Sequence, residues 1–153
     1  MQYTLLNDKE FWRIIQFGLY AGCRRAEIVS AKWENYKAPL LKVKGKGDKE
    51  RNVPIIKKAL AAMGPAKKKG PIFLQVHPDT DTHRFKKLAL KSGIKDIHFH
   101  HLRHSAATAM LEAGIDLPVI QKILGHESIS TTQIYADVLD NHMIDQMKKF
   151  EGE

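Results

Sequence analysis

The stretch Phe99-His100-His101-Leu102-Arg103-His104-Ser105-Ala106-Ala107-Thr108-Ala109-Met110-Leu111-Glu112-Ala113-Gly114 decides how the chain is read. It has no internal proline and closes on a glycine, so it predicts the best helix in the chain, from Phe99 to Ala113 with Gly114 as its stop. At helical spacing His100, Arg103 and Ala107 share one face, while Ala106, Ala109 and Met110 share another. One face packs a core; the other presents an imidazole and a guanidinium that can meet one phosphate together. Downstream lie Leu124-Gly125-His126 and then Tyr135, a phenol able to act as a nucleophile. The set reads as phosphoryl-transfer chemistry.

Upstream, Phe11, Ile14, Ile15, Gly18 and Leu19 recur at helical spacing behind the cap pair Asn7-Asp8 and predict a helix from about Lys9 to Ala21, punctuated by Gly22. Arg24 to Trp33 restarts the pattern with Ala26, Ile28, Val29 and Ala31, and Pro39 switches the chain to extended structure. Leu40-Leu41-Lys42-Val43-Lys44 and Arg51-Asn52-Val53-Pro54-Ile55 alternate around Gly45-Lys46-Gly47-Asp48, which predicts a β-hairpin with a basic tip and an edge strand marked by Pro54. Ile56 to Met63 predicts a short helix stopped by Gly64-Pro65, and Pro71-Ile72-Phe73-Leu74 predicts a third strand. Thr80 or Asp81 caps a helix carrying Phe85, Leu88 and Ala89, with Gly93 past its end. Asp116-Leu117-Pro118 reads as the start of a helix ended by Gly125, and Ser130-Thr131-Thr132 as the cap of a short helix delivering Tyr135. Leu139, Met143, Met147 and Phe150 form the apolar stripe of a terminal helix. The picture is mostly helical with one small sheet.

At 153 residues and 43% apolar content the chain has the size and composition of a single domain with its own core. Lys and Arg number 25 against 17 acidic residues, a formal net charge of +8 that points to a polyanionic partner: DNA, RNA or an anionic membrane. The apolar runs fall short of the roughly 20 residues that cross a bilayer, and Met1-Gln2-Tyr3-Thr4 lacks the pattern of a secretory leader. These features predict a soluble, unsecreted protein with no membrane partner. The single Cys23 cannot form an internal disulfide, which suits a reducing compartment, and on an apolar helix it reads as a small buried hydrophobe rather than a reactive thiol.

Each member of the phosphate-competent set has a plainer reading. His98, His100, His101 and His104 also describe a solvated helix start, and clustered histidines can hold zinc, although Cys partners are missing nearby and Arg103 would sit inside the cationic site. Arg24, at a helix start with Glu27 three residues on, is by itself a surface charge; convergence raises it, because two arginines are needed to neutralise both non-bridging oxygens of a phosphodiester. Lys46 alone is a solvated lysine. Its flanking glycines let the hairpin tip bend over a backbone, where a lysine can give a proton to a departing alkoxide. Tyr135 by itself is a half-buried aromatic.

Together these segments resemble the catalytic domain of the tyrosine recombinase (phage integrase) family, over most of the chain. Gly22-Cys23-Arg24-Arg25-Ala26-Glu27 is similar to the family's first arginine box, Lys44 to Pro54 to its β-hairpin, His100-His101-Leu102-Arg103-His104 to its His-x-Leu-Arg-His box, Leu124-Gly125-His126 to the next, and Ser130 to Tyr135 to the segment bearing the nucleophile. The resemblance implies an α+β, mostly helical fold with a small three-stranded antiparallel sheet. It also implies a catalytic set of Arg24, Lys46, His100, Arg103, His126 and Tyr135. Residues 1–153 then form the catalytic domain, without the family's N-terminal core-binding DNA domain.

The implied activity is site-specific DNA cleavage and rejoining through a covalent 3′-phosphotyrosine, independent of metal and cofactor, in the cytoplasm, nucleoid-associated or virion-encoded and acting in a host cell. The implied partner is double-stranded DNA, with self-association into a synaptic tetramer; the terminal stripe either docks on its own core, as most amphipathic terminal helices do, or packs on a neighbouring copy, as such tails do in the family. Lys44, Lys49 and Arg51 on the hairpin, the loop lysines Lys67, Lys68 and Lys69, and the helix bearing Arg84, Lys86 and Lys87 are the expected contacts to backbone phosphates. A type IB topoisomerase, relaxing DNA with nearly the same residue types, and a non-catalytic DNA-binding module derived from a recombinase are the alternatives.

Overall fold

In a computed structural model, the backbone is described for residues 2–74, 78–91, 93–125 and 136–151, and side chains for 9–45, 47–74, 83–91, 93–125 and 143–151. Gln2–Ala21 form α1, longer than the cap pair Asn7-Asp8 predicts. A cap is worth only about 1 kcal/mol, so it favours a helix start without enforcing one. Gly22, at φ +64°, turns the chain out of α1 into the short helix α2, Arg25–Val29. That turn ends at Val29 rather than Trp33, and Trp33–Asn35 form a separate 3-10 turn.

Three antiparallel strands follow in the order β1 (Tyr36–Lys37), β2 (Leu40–Lys44), β3 (Glu50–Pro54). The hairpin lies where alternation puts it, with Leu41 opposite Val53 and Val43 opposite Arg51. The third strand does not. Pro71 makes only an isolated bridge with Lys32, and the strand that completes the sheet is the two-residue β1. Ile72 and Phe73 explain the difference: both are buried, each 3% exposed, whereas a strand would send consecutive side chains to opposite faces.

The remaining helices are α3 (Lys57–Met63), α4 (Pro78–Lys91), α5 (His100–Glu112), α6 (Leu117–Leu124) and α7 (Ala136–Glu151). α4 begins slightly before the Thr80 or Asp81 start that the sequence suggests. Asp116 occupies the N-cap position of α6 with a proline in its first turn, and Gly125 ends it in the left-handed conformation, as glycine permits. α1 lies at the centre: its inner face carries Phe11, Ile14 and Phe17 against α3 and α5, with Phe17 packed on Phe73 at 5.1 Å between ring centroids. Gly18 is where α5 crosses closest, since a Cβ there would meet Leu102 Cδ1 at 3.3 Å. Met143 and Met147 of α7 are buried in the chain's own core, with α7 lying against α6 and β3 and Phe150 packed at the edge. Leu139 and the segment Ser130–Tyr135 lie outside the described side chains. Among the described residues no helix is long and apolar enough to cross a membrane.

Candidate active site

The turn at Gly22 organises the site. Because α1 stops at Ala21 and Gly22 reverses the backbone, Arg24 falls on the N-cap position of α2, in extended conformation at φ −69° and ψ 152°. The carboxylate of Glu27 accepts a hydrogen bond from the Arg24 backbone N–H at 2.7 Å, which satisfies an orphan donor at the helix start. The same carboxylate holds the Arg24 side chain, with Nη1 donating to Oε1 at 3.1 Å, while Nη2 reaches the Gly125 carbonyl at 3.3 Å. The Arg24 side chain stays 43% exposed. From the opposite side, Arg103 of α5 donates to the Gly22 carbonyl at 3.3 Å. A glycine is required at the turn for a second reason: a Cβ would lie 2.6 Å from Leu124 Cδ2.

Arg51 is turned inward. In β3 it shares a face with Val53, and its cross-strand partner is Val43; both valines are buried. Its guanidinium forks onto Glu27, Nη2 to Oε2 at 2.7 Å and Nε to Oε1 at 3.1 Å, and Nη1 donates to the carbonyl of Ile123 in the last turn of α6. Two guanidiniums thus share one buried carboxylate, and a third, that of Arg103, stands at the neighbouring Gly22 carbonyl. Burial alone pushes the Glu27 carboxyl up, but the hydrogen bond and charge of Arg51, with help from Arg24, outweigh it and hold it below its ordinary value. Arg103 is brought down to about 10, first by burial and then by the charges of Arg24 and Arg51. An anion bound among these groups would offset the repulsion between the guanidiniums. Beside them, burial pushes the Cys23 thiol up to about 12, which leaves it protonated and inert.

His100 opens α5 on an exposed face, its ring stacked on His101 at 4.3 Å and on His98 at 5.6 Å. His101 is itself pinned, its Nδ1 accepting the His98 backbone N–H at 2.8 Å. Desolvation by these neighbours, and then the charges of His101, His98 and His104, hold His100 below the ordinary imidazole value. A neutral imidazole is an acceptor, ready to take a proton. Among the described residues no group of three or more His, Cys, Asp or Glu is placed to hold a metal ion.

Lys46 lies in the hairpin turn Lys46–Asp48, built on the positive-φ Gly47; its side chain lies outside those described. The backbone next to it approaches Glu27 and Arg24, since a Cβ at Gly45 would be 3.6 Å from Glu27 Oε1 and 3.7 Å from Arg24 Nη1. His126 and Tyr135 lie outside the described residues; Gly125, which precedes His126, carries the carbonyl that Arg24 reaches. Of the expected phosphate contacts, Lys49, Lys67, Lys68, Lys69, Lys86 and Lys87 are exposed, and Lys44 is exposed while pairing with Asp48 at 3.8 Å. Arg84 lies with its guanidinium 4.9 Å over the Phe11 ring. Sequence reasoning noted Glu27 without giving it a role and sent Arg51 to the DNA. The signal that finds both is periodicity: Glu27 precedes the buried Ile28 in a five-residue helix, and Arg51 alternates with Val53 on the apolar face of β3.

Residues 5–142 match the family model of the phage integrase family. The chain is 38% identical to the tyrosine recombinase XerD of Lacticaseibacillus casei, over 91% of this chain and 53% of that protein. It is 36% identical to the tyrosine recombinase XerA of Pyrococcus furiosus, over 94% of this chain and 56% of that one. Among solved structures, the integrase of mycobacterium phage Brujita superposes with a TM-score of 0.77 at 25% identity, over 93% of this chain and 52% of that chain. The chain spans about half the length of the curated relatives it matches.

Proposed function

This chain belongs to the phage integrase family, the tyrosine recombinases, and we propose on that footing that it is the catalytic domain of a DNA strand transferase that cuts and rejoins double-stranded DNA at specific sites. Tyr135 attacks a phosphodiester, leaving a 3′-phosphotyrosine and a free 5′-hydroxyl; the reverse attack reseals the strand. Arg24 and Arg103 clamp the non-bridging oxygens, whose charge grows in the transition state. His100 takes the phenol proton or hydrogen-bonds the phosphate, His126 is a second phosphate donor, and Lys46 protonates the leaving 5′-oxygen. The arginines supply the positive charge that magnesium supplies in other phosphoryl transfers, so the reaction runs without metal. Exposed lysines on the hairpin, on the 67–69 loop and on α4 hold the flanking backbone, in the cytoplasm. Assembly into a synaptic tetramer completes this reading, and α7 exchanges between copies only by giving up the buried sites of Met143 and Met147.

One observation carries the reading: Arg24 and Arg51 share the buried carboxylate of Glu27 while Arg103 joins the same turn through the Gly22 carbonyl, a local excess of positive charge that suits an anion. The test is incubation with a pool of nicked duplexes of randomised sequence, which trap a cut strand on the protein, followed by denaturing electrophoresis with and without chelator. A covalent adduct is expected for the unaltered chain in both conditions and none for Tyr135→Phe. An adduct that survives Tyr135→Phe, or no adduct with any sequence, overturns the strand-transfer reading; an adduct lost on chelation overturns metal independence.

A further inference from the structure

Glu27 has two oxygens and four hydrogen bonds. Oε2 accepts from the Arg24 backbone N–H and from Arg51 Nη2, each at 2.7 Å; Oε1 accepts from Arg24 Nη1 and Arg51 Nε, each at 3.1 Å. The charge count around it follows. One carboxylate between two guanidiniums leaves one positive charge uncompensated; without Arg51 the Arg24–Glu27 pair is neutral, and Arg24 is an ion pair closed on itself. A side chain meant to stabilise a phosphate whose charge is growing cannot have its own charge already cancelled at 3.1 Å.

Arg51 also fixes geometry. Its fork ties β3 to α2, and its Nη1 ties both to the Ile123 carbonyl at the end of α6, one of the orphan acceptors of a helix C-terminus. Gly125 is shaped around it, since a Cβ there would fall 2.5 Å from Arg51 Cδ and 2.9 Å from Nε. The three elements joined are those carrying Lys46, Arg24 and the approach to His126. At 12% side-chain exposure, with donors on all three guanidinium nitrogens engaged, Arg51 is turned into the protein.

We propose that Arg51 is a positioning residue: by neutralising and orienting Glu27 it holds Arg24 in the geometry, and with the free positive charge, that a phosphate clamp requires. The inference rests on the strand-transfer reading of this site, and its test separates the two. Arg51→Gln and Arg51→Lys are compared with the unaltered chain for folding by circular dichroism, for DNA affinity against salt, for single-turnover cleavage of trapped substrates, and for inorganic phosphate binding followed through the arginine side-chain NMR signals. Expected are folded variants with an unchanged salt slope, cleavage slowed by about 10²-fold, as for a misplaced reacting group, and phosphate affinity down by about tenfold, or 1.4 kcal/mol. In an Arg24→Ala background the same substitutions should cost little, because the group they position is gone. A salt slope shallower by about one marks Arg51 as a phosphate contact and overturns the proposal. Equal losses in both backgrounds, unchanged cleavage, or failure of both variants to fold also overturn it. If the unaltered chain forms no adduct, the strand-transfer reading falls, and phosphate titration still decides whether Arg51 sets the charge of Arg24.

Discussion

Arg51 and Lys44 stand on paired strands of one hairpin, both basic and both reading from sequence as DNA contacts, yet the fold gives them opposite settings. The Lys44 side chain is 59% exposed and pairs with Asp48 at 3.8 Å; that of Arg51 is 12% exposed and holds three elements together. The difference is one of parity. Val43 points inward opposite Arg51, so its neighbour Lys44 points out while Arg51 points in. A positive charge on the outer face acts on DNA through counterions and is screened by salt; one on the inner face acts on a carboxylate in a less polar medium and is screened far less.

The sharpest way to break that comparison is Arg51→Met. It leaves Glu27, fully buried, with a single arginine, and removing one partner of a buried ion pair costs about 3–5 kcal/mol. Urea unfolding at pH 7 should show this, beside a change within about 0.5 kcal/mol for Lys68→Ala on the exposed loop. The pH dependence carries the sign. In the unaltered chain Glu27 sits below its ordinary 4.5, so its contribution is present above that value and is lost as pH falls through the depressed one. With Met at 51, burial pushes the carboxyl up instead, and acidification across the carboxylate range should relieve the penalty. Equal costs for the two substitutions would erase the distinction between the faces.

How much of this was legible can be argued from the same residues. The α5 helix was, because a long periodic segment without proline and with a terminal glycine admits few other structures. The hairpin was, through its glycines and alternation. The third strand was misplaced: Pro71 to Leu74 looks like a strand only until Ile72 and Phe73 are both found buried, and β1 is too short to show a period. The arginine box was visible as a motif, but the inward fork of Arg51 was hidden by its charge. Buried arginines are rare without a partner, and the partner, Glu27, is 24 residues away in sequence.

A smaller effect tests the turn on which both arginines depend. Gly22→Ala places a methyl 2.6 Å from Leu124 Cδ2 at a backbone φ of +64°, and the combination should cost about 1–3 kcal/mol in thermal or urea unfolding. Leu124 is buried and cannot simply swing away. A cost no greater than that of a surface substitution would mean that the close approach of α6 to the Arg24 turn is not needed. On the outer face, replacing Lys67, Lys68 and Lys69 together by Ala should leave unfolding unchanged while lowering the slope of log affinity against log salt by about 0.9 for each phosphate these lysines neutralise. An unchanged slope would remove that loop from the DNA surface.

The smallest effect concerns His100, basic like Arg51 but placed outside. Desolvation and then the charges of His101, His98 and His104 hold it below the ordinary imidazole 6.5, so at neutral pH it is the neutral acceptor that a general base must be. The sign follows: cleavage should be flat through pH 7 and decline only on acidification, with its midpoint under 6.5. His101 stacks on His100 at 4.3 Å and exerts the largest of the charge effects on it, so His101→Gln should move that midpoint upward while leaving the plateau rate in place. A midpoint that stays put would separate His100 from the histidine stack. A plateau that falls with the substitution would show that the His101 ring orients His100 as the Arg51 fork orients Arg24, and the inner and outer faces would then share one device, a basic side chain positioned by another.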